Sequence, residues 1–181
     1  MRRWIAQAGL LILLVASCSL VAPPSGAADK ASATRNTATG KTPATDWPEF
    51  RGPNRDDHSP DTGLLKQWPK DGPPLYWKSP AKGIGEGFST VSVAGDKVFT
   101  MGDVGDSNFV FALDRATGKK LWETRVGGSG APGGYKGPRC TPTVDGNLLY
   151  ALGQGGEFVC LDIGKKGRVV WRKDLRKDFG G

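Results

Sequence analysis

Three observations predict an all-β fold, a β-propeller with four-stranded antiparallel blades. Glycine is abundant, at 27 of 181 residues, and after Trp47 almost no helix-period pattern appears, which suits short strands joined by tight turns. The stretch STVSVAGDKVFTMGDVGDSNFVFALDRATGKKLWETRV, starting at Ser89, returns from Cys140 as CTPTVDGNLLYALGQGGEFVCLDIGKKGRVVWRKDL. Trp122 and Trp171 end the matching units 49 residues apart, and all-strand repeats of about 40–50 residues are the mark of propeller blades.

The chain opens with MRRWIAQAGLLILLVASC. Arg2 and Arg3 precede an apolar core, Leu10 to Val15, that is too short for a permanent membrane span, so residues 1–17 read as a secretory signal peptide. Val15-Ala16-Ser17-Cys18 resembles the lipobox of bacterial lipoproteins, in which Cys18 would be lipidated. An ordinary signal peptidase cut after Gly26-Ala27-Ala28 is the competing reading. Both predict an exported protein, either periplasmic or anchored to a membrane only through a lipid. Residues 18–46 read as a flexible tether, because from Ser25 to Thr45 small and polar side chains dominate and cannot bury enough surface to offset ordering.

The folded part is expected over 47–181. Trp77, 45 residues before Trp122, looks like the last strand of an incomplete preceding unit. The second complete unit divides into strands 139–144, 148–153, 157–162 and 168–172, separated by Asp145-Gly146-Asn147, Gln154-Gly155-Gly156 and Gly164–Gly167. Such loops suit tight hairpins that need positive φ. Strands such as Phe109-Val110-Phe111-Ala112-Leu113 are apolar on both faces, as expected of a blade stacked between neighbours.

In ALDRATGKKLW, the Asp114 side chain can accept from the amides of the turn that follows, and Gly118 can take the left-handed conformation that closes it. Trp122 then returns on the outermost strand, where its ring can pack against the adjacent blade. These eleven residues resemble, at every defined position, the A-x-D-x-x-T-G-K-x-x-W tryptophan-docking motif of PQQ-type (pyrroloquinoline quinone) propeller repeats. The positions carried over are Ala112, Asp114, Thr117, Gly118, Lys119 and Trp122. The second copy keeps Asp162, Gly167 and Trp171 but has Cys160 for the alanine and a longer turn. DWPEFRGPNRDDHS, at 46–59, resembles the opening of secreted bacterial members.

That family includes quinoprotein alcohol dehydrogenases and non-enzymatic relatives such as the outer-membrane assembly lipoprotein BamB. For the dehydrogenases the resemblance implies PQQ over a vicinal disulfide, beside a metal ion held by carboxylate and amide ligands, with an Asp as base. This sequence has no Cys-Cys pair. Cys140 and Cys160 are assigned to the first and third strands of one blade, about 10 Å apart and beyond disulfide reach, so free thiols are expected. His58 is the only histidine, in a polar loop, where no set of convergent ligands is apparent. No catalytic, cofactor or metal residue is assigned, and no cofactor is expected unless PQQ binds through further blades beyond Gly181.

Two incoming segments, GIGEGFS (83–89) and GYKGPRC (134–140), lead into the first strands, which line the channel of a propeller. Glu86 and Arg139 are therefore candidates to hold a polar ligand or each other, or else are exposed charges on ordinary connections. The net charge of +7 falls to about +5 without Arg2 and Arg3, too little to argue for nucleic acid. Two and a half blades leave apolar faces bare, which points to an N-terminal fragment of a longer product. The function expected is a non-enzymatic scaffold of the cell envelope that binds a protein or envelope component. The alternative is the N-terminal part of a PQQ-dependent dehydrogenase.

Overall fold

The computed structural model describes residues 46–80, 83–130 and 135–180; the residues expected to form the leader and the tether, Cys18 among them, lie outside these. The described residues contain two four-stranded antiparallel sheets, each with its strands in chain order. The first comprises β1 (Ser92–Ala94), β2 (Lys97–Val104), β3 (Ser107–Asp114) and β4 (Lys120–Gly128). The second comprises β5 (Thr143–Asp145), β6 (Leu148–Leu152), β7 (Glu157–Asp162) and β8 (Arg168–Asp174). This is the repeated up-and-down blade of a propeller fold.

The faces of the two blades meet in one core. Phe99, Met101, Val110, Ala112 and Val126 of the first blade pack with Val144, Leu149, Ala151, Val159 and Leu161 of the second. Within each strand these residues alternate, so each sheet sends every second side chain into the seam. Polar contacts tie the same seam: Thr124 Oγ1 donates to Gly167 O at 2.8 Å, and Arg172 donates to the carbonyls of Arg125 (2.7 Å) and Val126. Trp47 pairs with Val93 through two 2.8 Å backbone bonds, and Pro48 O accepts from Val144 N at 2.8 Å. The opening segment thereby links the first strands of both blades.

Three features depart from the sequence reading. Residues 74–80, where Trp77 was expected to lie on the last strand of a preceding unit, form no strand. β5 begins at Thr143 instead of 139, because Pro138 and Pro142 have no N–H to give to a ladder. After β8 the chain forms a short helix, α1 (Leu175–Phe179), where only strands were expected. Asp174 caps its start by accepting from Lys177 N at 3.1 Å, and Gly180 closes its end in the left-handed region.

Candidate functional site

The turn between β3 and β4 is built around Asp114. Its Oδ1 accepts from Thr117 N at 2.8 Å and from Thr117 Oγ1 at 2.6 Å. Lys119 O accepts from Asp114 N at 2.8 Å, and Gly118 closes the turn at φ +70°. The hydrogen bonds from Thr117 hold the Asp114 carboxyl below its ordinary pKa. In the second blade Asp162 Oδ1 accepts from Lys165 N at 3.1 Å and from Asn147 Nδ2 at 2.7 Å. The longer turn there coils into a 3-10 segment, Ile163–Lys165, followed by Lys166 and Gly167 in the left-handed region.

Each of these turn glycines lies beneath a tryptophan from the preceding unit. A Cβ on Gly118 would sit 2.5 Å from Trp77 Cε3, and one on Gly167 would sit 2.5 Å from Trp122 Cε3. Trp77 Nε1 donates to Arg115 O at 2.7 Å. Trp122 Nε1 has no partner among the described residues. Its ring is 5.8 Å from Phe99, and Ala112 is its partner across the ladder. Trp171 packs instead with Phe158 (5.2 Å) and Tyr150 (6.1 Å) on the outer face of the second blade. Those positions match Trp122, Val110 and Phe99 of the face that the first blade buries against the second.

The two incoming segments lie side by side. Phe88 N donates to Pro138 O at 2.8 Å, and Gly137 at φ +99° comes so close to Gly87 that a Cβ would collide with its backbone. Glu86 pairs through its backbone with Asp103, at 3.1 and 2.7 Å, and its side chain is exposed. Arg139 is exposed as well, and no ion pair joins the two among the described residues. The Arg139 guanidinium lies 5.5 Å over the Phe88 ring and donates to Tyr135 O at 3.3 Å. Phe88 and Tyr135 meet edge to face at 6.2 Å, and both are exposed. The sequence reading singled out the two charges and missed the aromatic pair, although Phe88 and Tyr135 stand in the same quoted segments.

Cys140 and Cys160 are free thiols, both pushed above their ordinary pKa by burial. Cys140 precedes β5 and Cys160 lies within β7, so they do not form the adjacent pair that the family resemblance implies beneath PQQ. His58 is exposed in the opening segment beside Asp56.

This arrangement presents a cationic, aromatic surface able to bind through stacking, hydrogen bonds and charge. None of the curated proteins compared with the chain matches it. The family model described as outer membrane protein assembly factor BamB matches residues 66–180, which take in both blades and the Trp77 segment. With two four-stranded blades locked by tryptophan over glycine and a match across most of its length, the chain belongs to the PQQ-like repeat family of outer membrane protein assembly factor BamB.

Proposed function

We propose that the chain is a non-enzymatic binding scaffold of the bacterial cell envelope, exported and held near a membrane through Cys18 and its tether, and that it docks a protein partner. The observation that carries this reading is the exposed cluster of Phe88, Tyr135 and Arg139, where the incoming segments of the two blades touch. Arginine and aromatic residues are the types that dominate binding energy at protein interfaces. Arg139 is already oriented by Phe88 and Tyr135 O, so little side-chain freedom remains to be lost on docking. Family membership and the leader sequence support the cellular setting.

The test is a photo-crosslinking amino acid placed at position 135 of the full chain in intact cells. A discrete adduct that forms from 135, is lost with Arg139→Ala, and is absent from a control at Val170 on β8 is the expected result. Equal labelling from both positions would count against a rim site. Stoichiometric PQQ binding with alcohol-dependent dye reduction would establish the dehydrogenase instead.

A further inference from the structure

A pocket of about 550 Å³ opens between the segment that carries Trp77 and the β3–β4 turn of the first blade. Lys78, Pro80 and Ile84 line one wall, and Lys119 and Lys120 line the other. Its origin is visible in the repeat. After Trp122 the chain continues along β4 as Glu123 and Thr124, and Thr124 Oγ1 donates to Gly167 O at 2.8 Å, which closes the seam over the second turn. Trp77 likewise covers Gly118. Lys78 and Ser79, however, which stand 45 residues before Glu123 and Thr124, belong to no strand, and no hydrogen bond ties Ser79 to Gly118 among the described residues. The first turn is left open, with a lysine where the second has a glutamate.

The walls are cationic and apolar at once. Lys120 Nζ lies 5.6 Å over the Phe111 ring, donates to Gly83 O at 3.5 Å and pairs with Glu123 at 2.5 Å. Lys78 and Lys119 are exposed, and neither has an ion pair among the described residues. Three lysines against the one carboxylate of Glu123 leave an excess of two positive charges. The Asp114 carboxylate of the same turn accepts from Thr117 N and Oγ1 and lines a separate pocket with Tyr76 and Arg115. Pro80, Ile84 and the methylene stems of the lysines supply the apolar surface. None of these residues belongs to the cluster of Phe88, Tyr135 and Arg139.

We propose that this pocket binds a phosphate monoester carried on an apolar body, with Lys78, Lys119 and Lys120 around the phosphate and Pro80 and Ile84 against the body. A phosphate monoester carries about two negative charges at neutral pH and three acceptor oxygens. That matches the excess charge and the three ammonium groups, whereas a carboxylate brings one charge and a flat pair of oxygens better served by the fork of arginine. The volume lies within the range of small-molecule pockets and leaves room for a body beyond the phosphate itself. The corresponding turn of the second blade also has two lysines, Lys165 and Lys166, but Glu123 and Thr124 cover it there.

The test is calorimetric titration of the full chain with phenyl phosphate at low ionic strength. One site is expected, and Lys78→Gln combined with Lys119→Gln should weaken it by about tenfold. Lys78→Glu, which installs the residue found after Trp122, should weaken it further than Lys78→Gln. These lysines are exposed, so the variants should keep the Tm of the parent. Lys165→Gln with Lys166→Gln, on the covered turn, should leave binding unchanged. Benzoate and inorganic phosphate, which lack the second charge and the apolar body respectively, should each bind at least about threefold more weakly than phenyl phosphate. Sedimentation with phosphatidylcholine vesicles doped with phosphatidic acid then separates the sources of the group. Retention that Lys78→Glu abolishes supports the proposal with a lipid headgroup as ligand, and phenyl phosphate binding without retention supports it with a soluble phosphate ester. No binding of phenyl phosphate up to about 10 mM would overturn the proposal. So would binding that the substitutions at Lys78 and Lys119 leave intact, or equal affinity for benzoate or inorganic phosphate.

Discussion

Trp122 lies flat against Gly167: a Cβ there would meet Cε3 and Cζ3 of the indole at 2.5 Å and Thr124 Oγ1 at 2.7 Å. Gly167 also has φ +71°, so any side chain adds backbone strain to the collision. Gly167→Ala should cost about 2–4 kcal/mol, from the left-handed backbone and from overpacking against a ring that cannot swing aside. Gly146, at φ +58° with open space around it, is the control, and Gly146→Ala should cost only about 1 kcal/mol. Urea unfolding of both variants checks this. Equal losses would mean that the ring yields freely and that the docking adds little.

Asp114 links the same device to pH. Its carboxyl titrates below its ordinary value because Thr117 donates to it twice. A depressed folded pKa contributes stability above the unfolded value, about 3.9, which is lost as pH falls through the folded value. The difference in urea midpoint between the parent and Asp114→Ala should therefore stay level from neutral pH down to about 5 and narrow below about 4. Thr117→Val, which removes the hydroxyl donor, should move that narrowing to higher pH. A difference independent of pH would show that the turn does not depend on the ionised carboxylate.

The blade pattern was legible in the sequence because it is local. Leu161-Asp162 and Trp171 repeat Leu113-Asp114 and Trp122 at near-constant spacing, and each turn carries the glycine its backbone demands. Helix α1 was missed because its five residues are too few to show a helical period, although Asp174 and Gly180 bracket it as N-cap and C-terminal glycine. The buried hydrogen bond from Asn108 to Asp103 had no signal at all. Its two members come from neighbouring strands of the first blade, and only the ladder register sets them opposite each other.

The two described cysteines give a probe of seam and edge. Cys160 is fully buried between the strands of the second blade, and burial raises its thiol pKa; the same cause raises that of Cys140. The reactive species is the thiolate, so both should resist alkylation at pH 8 in the folded chain and react quickly in guanidinium. Mass spectrometry of iodoacetamide-treated protein, read peptide by peptide, checks this. Cys140 is less enclosed than Cys160 and should be the first of the two to label as pH rises. Rapid labelling of Cys160 under native conditions would show that the outer face of the second blade opens locally.

Arg172 reaches from β8 across the seam to the carbonyls of Arg125 and Val126 on β4. Val126 is the extra residue where β4 bulges, since Asn108 pairs with Gly127 and Phe109 with Arg125. A bulge leaves backbone groups without a ladder partner, and a planar guanidinium can serve two adjacent carbonyls at once. Arg172→Ala should destabilise the chain by about 1–2 kcal/mol, the low end for charged hydrogen bonds because the side chain is exposed. Arg172→Lys should recover less than half of that loss, because an ammonium on a flexible stem lacks the fixed fork. Hydrogen exchange at the amides of 125–127 should quicken in both variants and stay unchanged in Lys173→Ala, which shares the strand but not the contact. Full rescue by lysine would reduce the role of Arg172 to charge alone.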